Sequence, residues 1–180
     1  MSLPHFFLRE QVLAFESAPV FALHLDADDM KHAKVLRLAV GEHIAVVDAV
    51  SDYFECEVVS FEGDELSVSI AQKLSSCARP EVVLVQGLAK GEKMDTIVRH
   101  ATEVGIAEFV PMTTSRSVVK LDAKKSKARF ERWASIAKSA AMQSGRSSKP
   151  VVHAPCSVAG AVDIAKDCDA VLICWEEAEL

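Results

Sequence analysis

Glycine and proline are scarce in this chain, at seven and six of 180 residues, and tyrosine occurs once. With half of the residues hydrophobic, that composition excludes a collagenous, low-complexity or largely disordered chain. There is no CxxC pair, no HExxH and no cluster with zinc-ligand spacing, so no metal is expected. The five cysteines (Cys56, Cys77, Cys156, Cys168 and Cys174) are odd in number and scattered, and read as reduced thiols rather than a disulfide framework. No apolar run approaches the roughly 20 residues that cross a bilayer. The opening Met-Ser-Leu-Pro-His lacks the basic and apolar regions of a signal peptide. A cytoplasmic, soluble protein without a membrane partner is the expectation.

What is present is an uneven distribution of charge. The net charge is −6, yet ten of the twenty Lys and Arg residues fall between Met112 and Pro150, opposed only by Asp122 and Glu131. That segment carries +8 and the remainder −14. A chain that repels polyanions overall but gathers cations in one segment fits a polyanion at one face. The plainer alternative is a solvated, Lys-rich helix face.

The hydrophobic rhythm changes near residues 73–80. Before that point short strand-like runs dominate, at Val20–Leu23, His43–Asp48, Tyr53–Phe61 and Leu66–Ala71, with a turn at Glu62-Gly-Asp-Glu65. One helix interrupts them, capped by Asp26, with apolar contacts from Met30, Ala33, Val35 and Leu36 and an end near Gly41. Short strands around one helix suggest a small β-barrel. The polar stretch Lys73–Pro80 reads as a linker. Beyond it, strands at Val82–Gln86, Phe109–Val110, Val151–Val152 and Ala170–Trp175 alternate with helices at Lys93–Val104, Ser126–Ser144 and after Ser157. The long helix is expected to bury Phe130, Trp133, Ala137, Ala140 and Ala141. The alternation argues for a parallel sheet covered by helices. The run at 170–175 is expected to be a buried strand, and a sheet ending there looks cut short.

Several motifs could carry chemistry. Gly87-Leu-Ala-Lys-Gly91-Glu-Lys93 joins a strand to a helix, but its spacing is neither a Walker A loop nor GxGxxG. It reads as a turn with two exposed cations. Lys31, Lys34 and Arg37 form a basic stripe on the first helix, and Arg9 follows Phe6-Phe-Leu8; each is a candidate phosphate contact or a solvated side chain. Thr113–Lys120 is a hydroxyl-rich turn containing Arg116. Ala141-Met-Gln-Ser-Gly-Arg146 ends the long helix at a glycine cap, leaving Arg146 free to reach a phosphate beside Gln143 and Ser144. If these two turns are neighbours, they form one polar pocket flanked by cations.

Met30-Lys-His-Ala-Lys-Val-Leu-Arg-Leu-Ala-Val-Gly41 resembles a motif of the RsmE family, enzymes that methylate N3 of a uridine in 16S ribosomal RNA. Leu88–Asp95, Ala101–Gly105, Arg116–Leu121, Arg132-Trp133 and Gln143–Arg146 follow in the family's order. The resemblance implies a PUA-like β-barrel RNA-binding domain over residues 1–73. It implies the N-terminal part of a SPOUT-type, Rossmann-like α/β methyltransferase domain over 80–180, truncated before the trefoil knot. It further implies S-adenosylmethionine as methyl donor, 16S ribosomal RNA or the small subunit as partner, and a homodimer at full length. Most cofactor contacts would then lie outside this chain, which alone would be inactive. Where the family commonly has Glu, this sequence has Ser115 and Met142, so no general base is named.

On that reading Arg116 and Arg146 contact RNA phosphate or uracil oxygen, Gln143 and Ser144 contact the base, and Arg9, Lys31, Lys34 and Arg37 grip the backbone. Two other functions stay open: a non-catalytic RNA-binding module, and an α/β enzyme that uses Gly87–Lys93 for a phosphorylated small molecule.

Overall fold

The computed structural model describes residues 3–75 and 80–174. Its first part is a five-stranded sheet built from β1 (His5–Phe7), β2 (Phe21–Ala22), β3 (His43–Val47), β4 (Tyr53–Glu62) and β5 (Glu65–Leu74). The strand order is β1-β3-β4-β5-β2, with β1 parallel to β3 and the other pairs antiparallel. No ladder joins β1 to β2 among the described residues, so the expected barrel is not closed there. Its core gathers Phe6, Leu13, Phe21, Ile44, Val46, Val58, Leu66 and Val68. β4 and β5 meet at a two-residue turn in which Gly63, first of the two, has φ +60°, the positive value that a type II′ hairpin places there.

β1 is too short to show a period in the sequence, and the candidate phosphate contact Arg9 lies two residues beyond it. β5 runs on through Lys73 and Leu74, past the expected start of the linker, because Lys73 pairs with Asp52 at 2.7 Å and lies over the Phe54 ring. Residues 76–79 of that stretch lie outside the described residues.

Helix α1 (Ala27–Leu36) starts as its sequence predicts. The Asp26 carboxylate accepts the Asp29 N–H at 2.8 Å. It stops earlier than Gly41, since Arg37 adopts a left-handed conformation and turns Leu38 into the core. Ala33 is fully buried, but Val35 and Leu36 are exposed rather than core contacts.

The second sheet contains β6 (Val83–Gly87), β7 (Glu108–Thr113), β8 (Val151–Val152) and β9 (Cys156–Ser157), all parallel. β7 is central, with β6 on one edge and β8 and β9 sharing the other. Helix α2 (Lys93–Val104) lies where its periodicity puts it, and α3 (Ala123–Gln143) starts a turn earlier than expected, at the Asp122 cap. α2 and α3 pack on Phe109, while α4 (Val158–Ala165), capped by Ser157, packs against β7 and β9. Residues 170–174 form no strand, and Val171, Leu172 and Ile173 are 61 %, 92 % and 86 % exposed. A strand buried on both faces needs a ladder partner and covering helices, and the described residues supply neither to this run. Trp175 lies outside the described residues.

One carboxylate locks the two helices. Asp95 of α2 accepts the Trp133 indole N–H at 3.1 Å on one oxygen and Arg132 Nε and Nη2 at 2.9 and 2.7 Å on the other. The Arg132 hydrogen bonds hold the Asp95 carboxyl below its ordinary pKa. Trp133, 2 % exposed, meets Phe109 edge-on at 6.4 Å between centroids. Trp133→Ala is therefore expected to lower unfolding free energy by roughly 3–5 kcal/mol, read from the denaturant midpoint.

His5 is 2 % exposed and stacks near the Phe7 and Tyr53 rings, with no hydrogen-bond partner for either ring nitrogen among the described residues. Burial lowers its pKa to about 4 from 6.5. The unfolded chain thus binds the extra proton first as pH falls, and stability drops between pH 6.5 and about 4. Thermal melts across that window should show the loss in the wild type and a smaller one in His5→Leu.

Candidate nucleic-acid interface

Strand-helix-strand alternation gives the second sheet two distinct ends. β7 runs outward to Thr113, the 114–122 loop turns, and α3 returns antiparallel to reach β8, whose Val151 pairs with Glu108 at the start of β7. The 21 residues of α3 cover about 31 Å. Arg116 and the Gln143–Arg146 turn accordingly lie at opposite ends of the sheet. The single pocket that their adjacency would have made does not form, because a returning helix separates whatever flanks it.

The end at the strand C-termini carries Arg116 together with Lys90 of the β6–α2 connection and Lys93 at the start of α2. Its turn is braced internally: Ser117 Oγ accepts the Thr114 N–H at 2.9 Å, and Thr113 Oγ1 donates to the Cys156 carbonyl at 2.9 Å. Arg116 is exposed. α3 begins there with Lys124, Lys125 and Lys127 and no acidic residue in its first turn. Cations at a helix N-terminus oppose the dipole by about 0.3–1 kcal/mol each. Asp122 as cap and its 3.3 Å pairing with Lys125 offset part of that cost. The cations serve the electrostatics of that end rather than the helix.

At the other end Gly145 takes φ +65°. Its N–H donates to the Met142 carbonyl and that of Arg146 to the Ala141 carbonyl, the pair of bonds that closes a Schellman motif. Arg146 is not free beyond the cap, since its Nη1 donates to the Thr102 carbonyl at the end of α2 at 3.2 Å. Ser144 Oγ turns back to the Ala140 carbonyl at 2.6 Å. Gln143 is exposed.

Between the two sheets lies a cleft of about 1190 Å³. α1 presents Asp28, His32 and Leu36 to it, α3 presents Phe130, Ser135, Lys138 and Gln143, and Arg9 and Lys149 complete its charged wall. Phe130, expected in the core, is half-buried and lines this cleft. Lys138 Nζ donates to Asp29 at 2.7 Å and to Asp26 at 3.0 Å, and Arg9 Nη2 meets the same Asp26 oxygen at 2.8 Å. Burial is the larger influence on Asp29, whose pKa is raised; Asp26 ends below its ordinary value through the Asp29 N–H, Lys138 and Arg9. Met142 packs beside Phe7, Val47 and Ala141 as an apolar contact between the sheets.

Of the eight sequence candidates, the cleft takes Arg9 and Gln143. Lys31, Lys34 and Arg37 lie off the α1 face that lines it, and Lys34 pairs with Asp64. Lys138, Lys149 and His5 were missed as site residues. The i, i+4 spacing of Ser135, Ser139 and Gln143 was the available signal for an exposed polar face on α3. Among the described residues no group of three or more His, Cys, Asp or Glu could hold a metal ion, and no helix is long and apolar enough to cross a membrane.

Residues 77–180 match the family model of an RNA methyltransferase domain. The chain is 32 % identical over 166 residues to ribosomal RNA small subunit methyltransferase E of Bacillus subtilis, covering 91 % of this chain and 64 % of that protein. It spans about half to two thirds of the length of the curated relatives it matches. A crystal structure of a hypothetical protein superposes with TM-score 0.85 at 31 % identity, over 96 % of this chain and 71 % of that one. Ribosomal RNA small subunit methyltransferase E from Neisseria gonorrhoeae, bound to S-adenosyl methionine, gives 0.75 at 24 % identity, over 89 % and 65 %, a likeness of fold.

Removing the Lys138 ammonium strands a buried carboxylate. Lys138→Met is expected to cost roughly 3 kcal/mol, and adding Asp29→Asn should recover part of it in a double-mutant cycle of denaturant melts.

Proposed function

We propose that this chain, which belongs to the RsmE family of RNA methyltransferases, binds small-subunit ribosomal RNA for methylation of N3 of a uridine in 16S RNA, with S-adenosylmethionine as donor. The observation that carries the RNA reading is the cation-rich end of the second sheet. Open α/β sheets bind ligands outside the C-terminal ends of their strands. Here that end gathers Lys90, Lys93, Arg116 and the lysines of the first turns of α3 against the preference of the helix dipole. A polyanion relieves that arrangement, and its binding offsets the local cost.

The chemistry asks for an accessible uracil. Its N3 imide must lose or share a proton before it attacks a methyl group, and negative charge then spreads to the flanking carbonyl oxygens. An exposed guanidinium such as that of Arg116 holds an RNA phosphate or a uracil oxygen at that end. The remaining cations hold phosphates and fix the register of the strand. A partner homodimer and a cytoplasmic location belong to the same reading.

The donor supplies a methyl group on a positively charged sulfonium. The described side chains at the strand C-termini suit it poorly: cations repel a sulfonium, and the hydroxyls of Thr113 and Ser117 are already engaged. These residues fit the RNA rather than the donor. That mismatch favours, as a second reading, a non-catalytic RNA-binding role for these 180 residues.

Binding of a labelled small-subunit RNA fragment, followed by mass spectrometry for methyluridine after addition of S-adenosylmethionine, tests both. The first reading expects binding that falls steeply with salt, a methylated uridine, and about tenfold weaker binding in Arg116→Ala. Binding without methylation favours the module. A shallow salt slope with tight binding of a phosphorylated small molecule overturns both.

A further inference from the structure

Ser135, Ser139 and Gln143 recur every four residues along α3, and each of them lines two hollows. One is the cleft between the sheets. The other, of about 350 Å³, adds Arg99 of α2 and the Ile136 and Ala140 of α3. The three polar side chains form a ridge with a cation in each hollow, Arg99 on one side and Lys149 on the other. Four residues of helix rise about 6 Å, so the ridge offers a hydrogen-bonding group at that interval over two steps.

Neither Arg99 nor Lys149 makes an ion pair within 4 Å among the described residues, whereas Lys138 is spent on Asp26 and Asp29. Desolvation and the nearby Lys138 and Arg9 lower the Lys149 pKa, against the opposing pull of Asp29 and Asp26. A second feature points the same way: His5 lines the cleft at 2 % exposure with both ring nitrogens unpartnered among the described residues. Phe130, half-buried in the same wall, presents an aromatic surface. Cations tracking a backbone, beside an aromatic ring for a base, are the recurring parts of a single-strand site.

We propose that a single-stranded RNA segment crosses α3 on this ridge, from the hollow at Arg99 into the cleft, where Lys149 holds phosphate and Phe130 stacks a base. Asp28 and Glu131 also line the cleft, and their charge disfavours phosphate beside them. The track rests on the RNA reading above, but it lies away from Arg116, toward the opposite end of α3, and it joins the two sheets into one binding surface. A duplex is a poor fit to a ridge between two hollows, and RNA is read chiefly in its single-stranded parts.

Fluorescence anisotropy of a labelled oligouridine with the full chain, over a salt series, decides the matter. Arg99, Ser139 and Lys149 are exposed, so their variants are expected to melt as the wild type does. Arg99→Ala and Lys149→Ala should each reduce the log–log salt slope by about 0.7, Ser139→Glu should weaken binding at least tenfold, and exposed Lys166→Ala should change neither. Unchanged slopes in Arg99→Ala and Lys149→Ala, with binding lost in Arg116→Ala, would overturn the track and leave the RNA reading standing. Salt-insensitive or absent binding by the wild type would overturn both.

Discussion

The Lys138 ammonium is the interaction on which the arrangement of the two sheets depends. It leaves α3 of the second sheet and enters the carboxylates of Asp26 and Asp29 at the start of α1. Asp29 is almost wholly buried, so its charge has no alternative source of solvation. The apolar contact the sheets share is small, a cluster of Phe7, Val47, Ala141 and Met142. A charged pair with fixed geometry sets the register, and the cleft then follows from the shapes on either side.

α3 is the member that all functions share. Its first turns carry the lysines of the sheet's C-terminal end, Trp133 and Ala137 close the core over Phe109, Lys138 holds the other sheet, and Ser135, Ser139 and Gln143 face outward. A 3.6-residue period lets one helix present these sets on different faces without conflict. The cost appears at its N-terminus, where cations meet the positive end of the dipole. The Asp95 bridge to Arg132 and Trp133 secures the same helix against α2. Cys56 shows the opposite use of burial: in the core of the first sheet its thiol is pushed up to about 12, which disfavours the thiolate.

Much of the fold was legible because local chemistry decided it. The Asp26 and Ser157 caps, the α2 span and the 62–65 turn were legible because each depends on groups within a few residues. The expectations that failed depended on distant partners. Val35 and Leu36 have core-like character, but α1 turns them outward. The run at 170–174 is strand-like in composition, yet strand formation needs a neighbouring ladder. β1, only three residues long, gains its place from pairing with β3 and leaves no periodic signal.

For the candidate site the division is sharper. The amino-acid sequence by itself determined the charge asymmetry, the caps, the alternation of strands and helices, and the motifs by which the family resemblance was drawn, since all are properties of composition and short spacing. Only the tertiary structure decided that Arg116 and Gln143 lie at opposite ends of a sheet, that Arg146 is tied to the Thr102 carbonyl, and that Lys138 belongs to a clamp. Those facts depend on which way a helix returns and on what is buried against it, and neither is encoded within a few residues of the groups concerned.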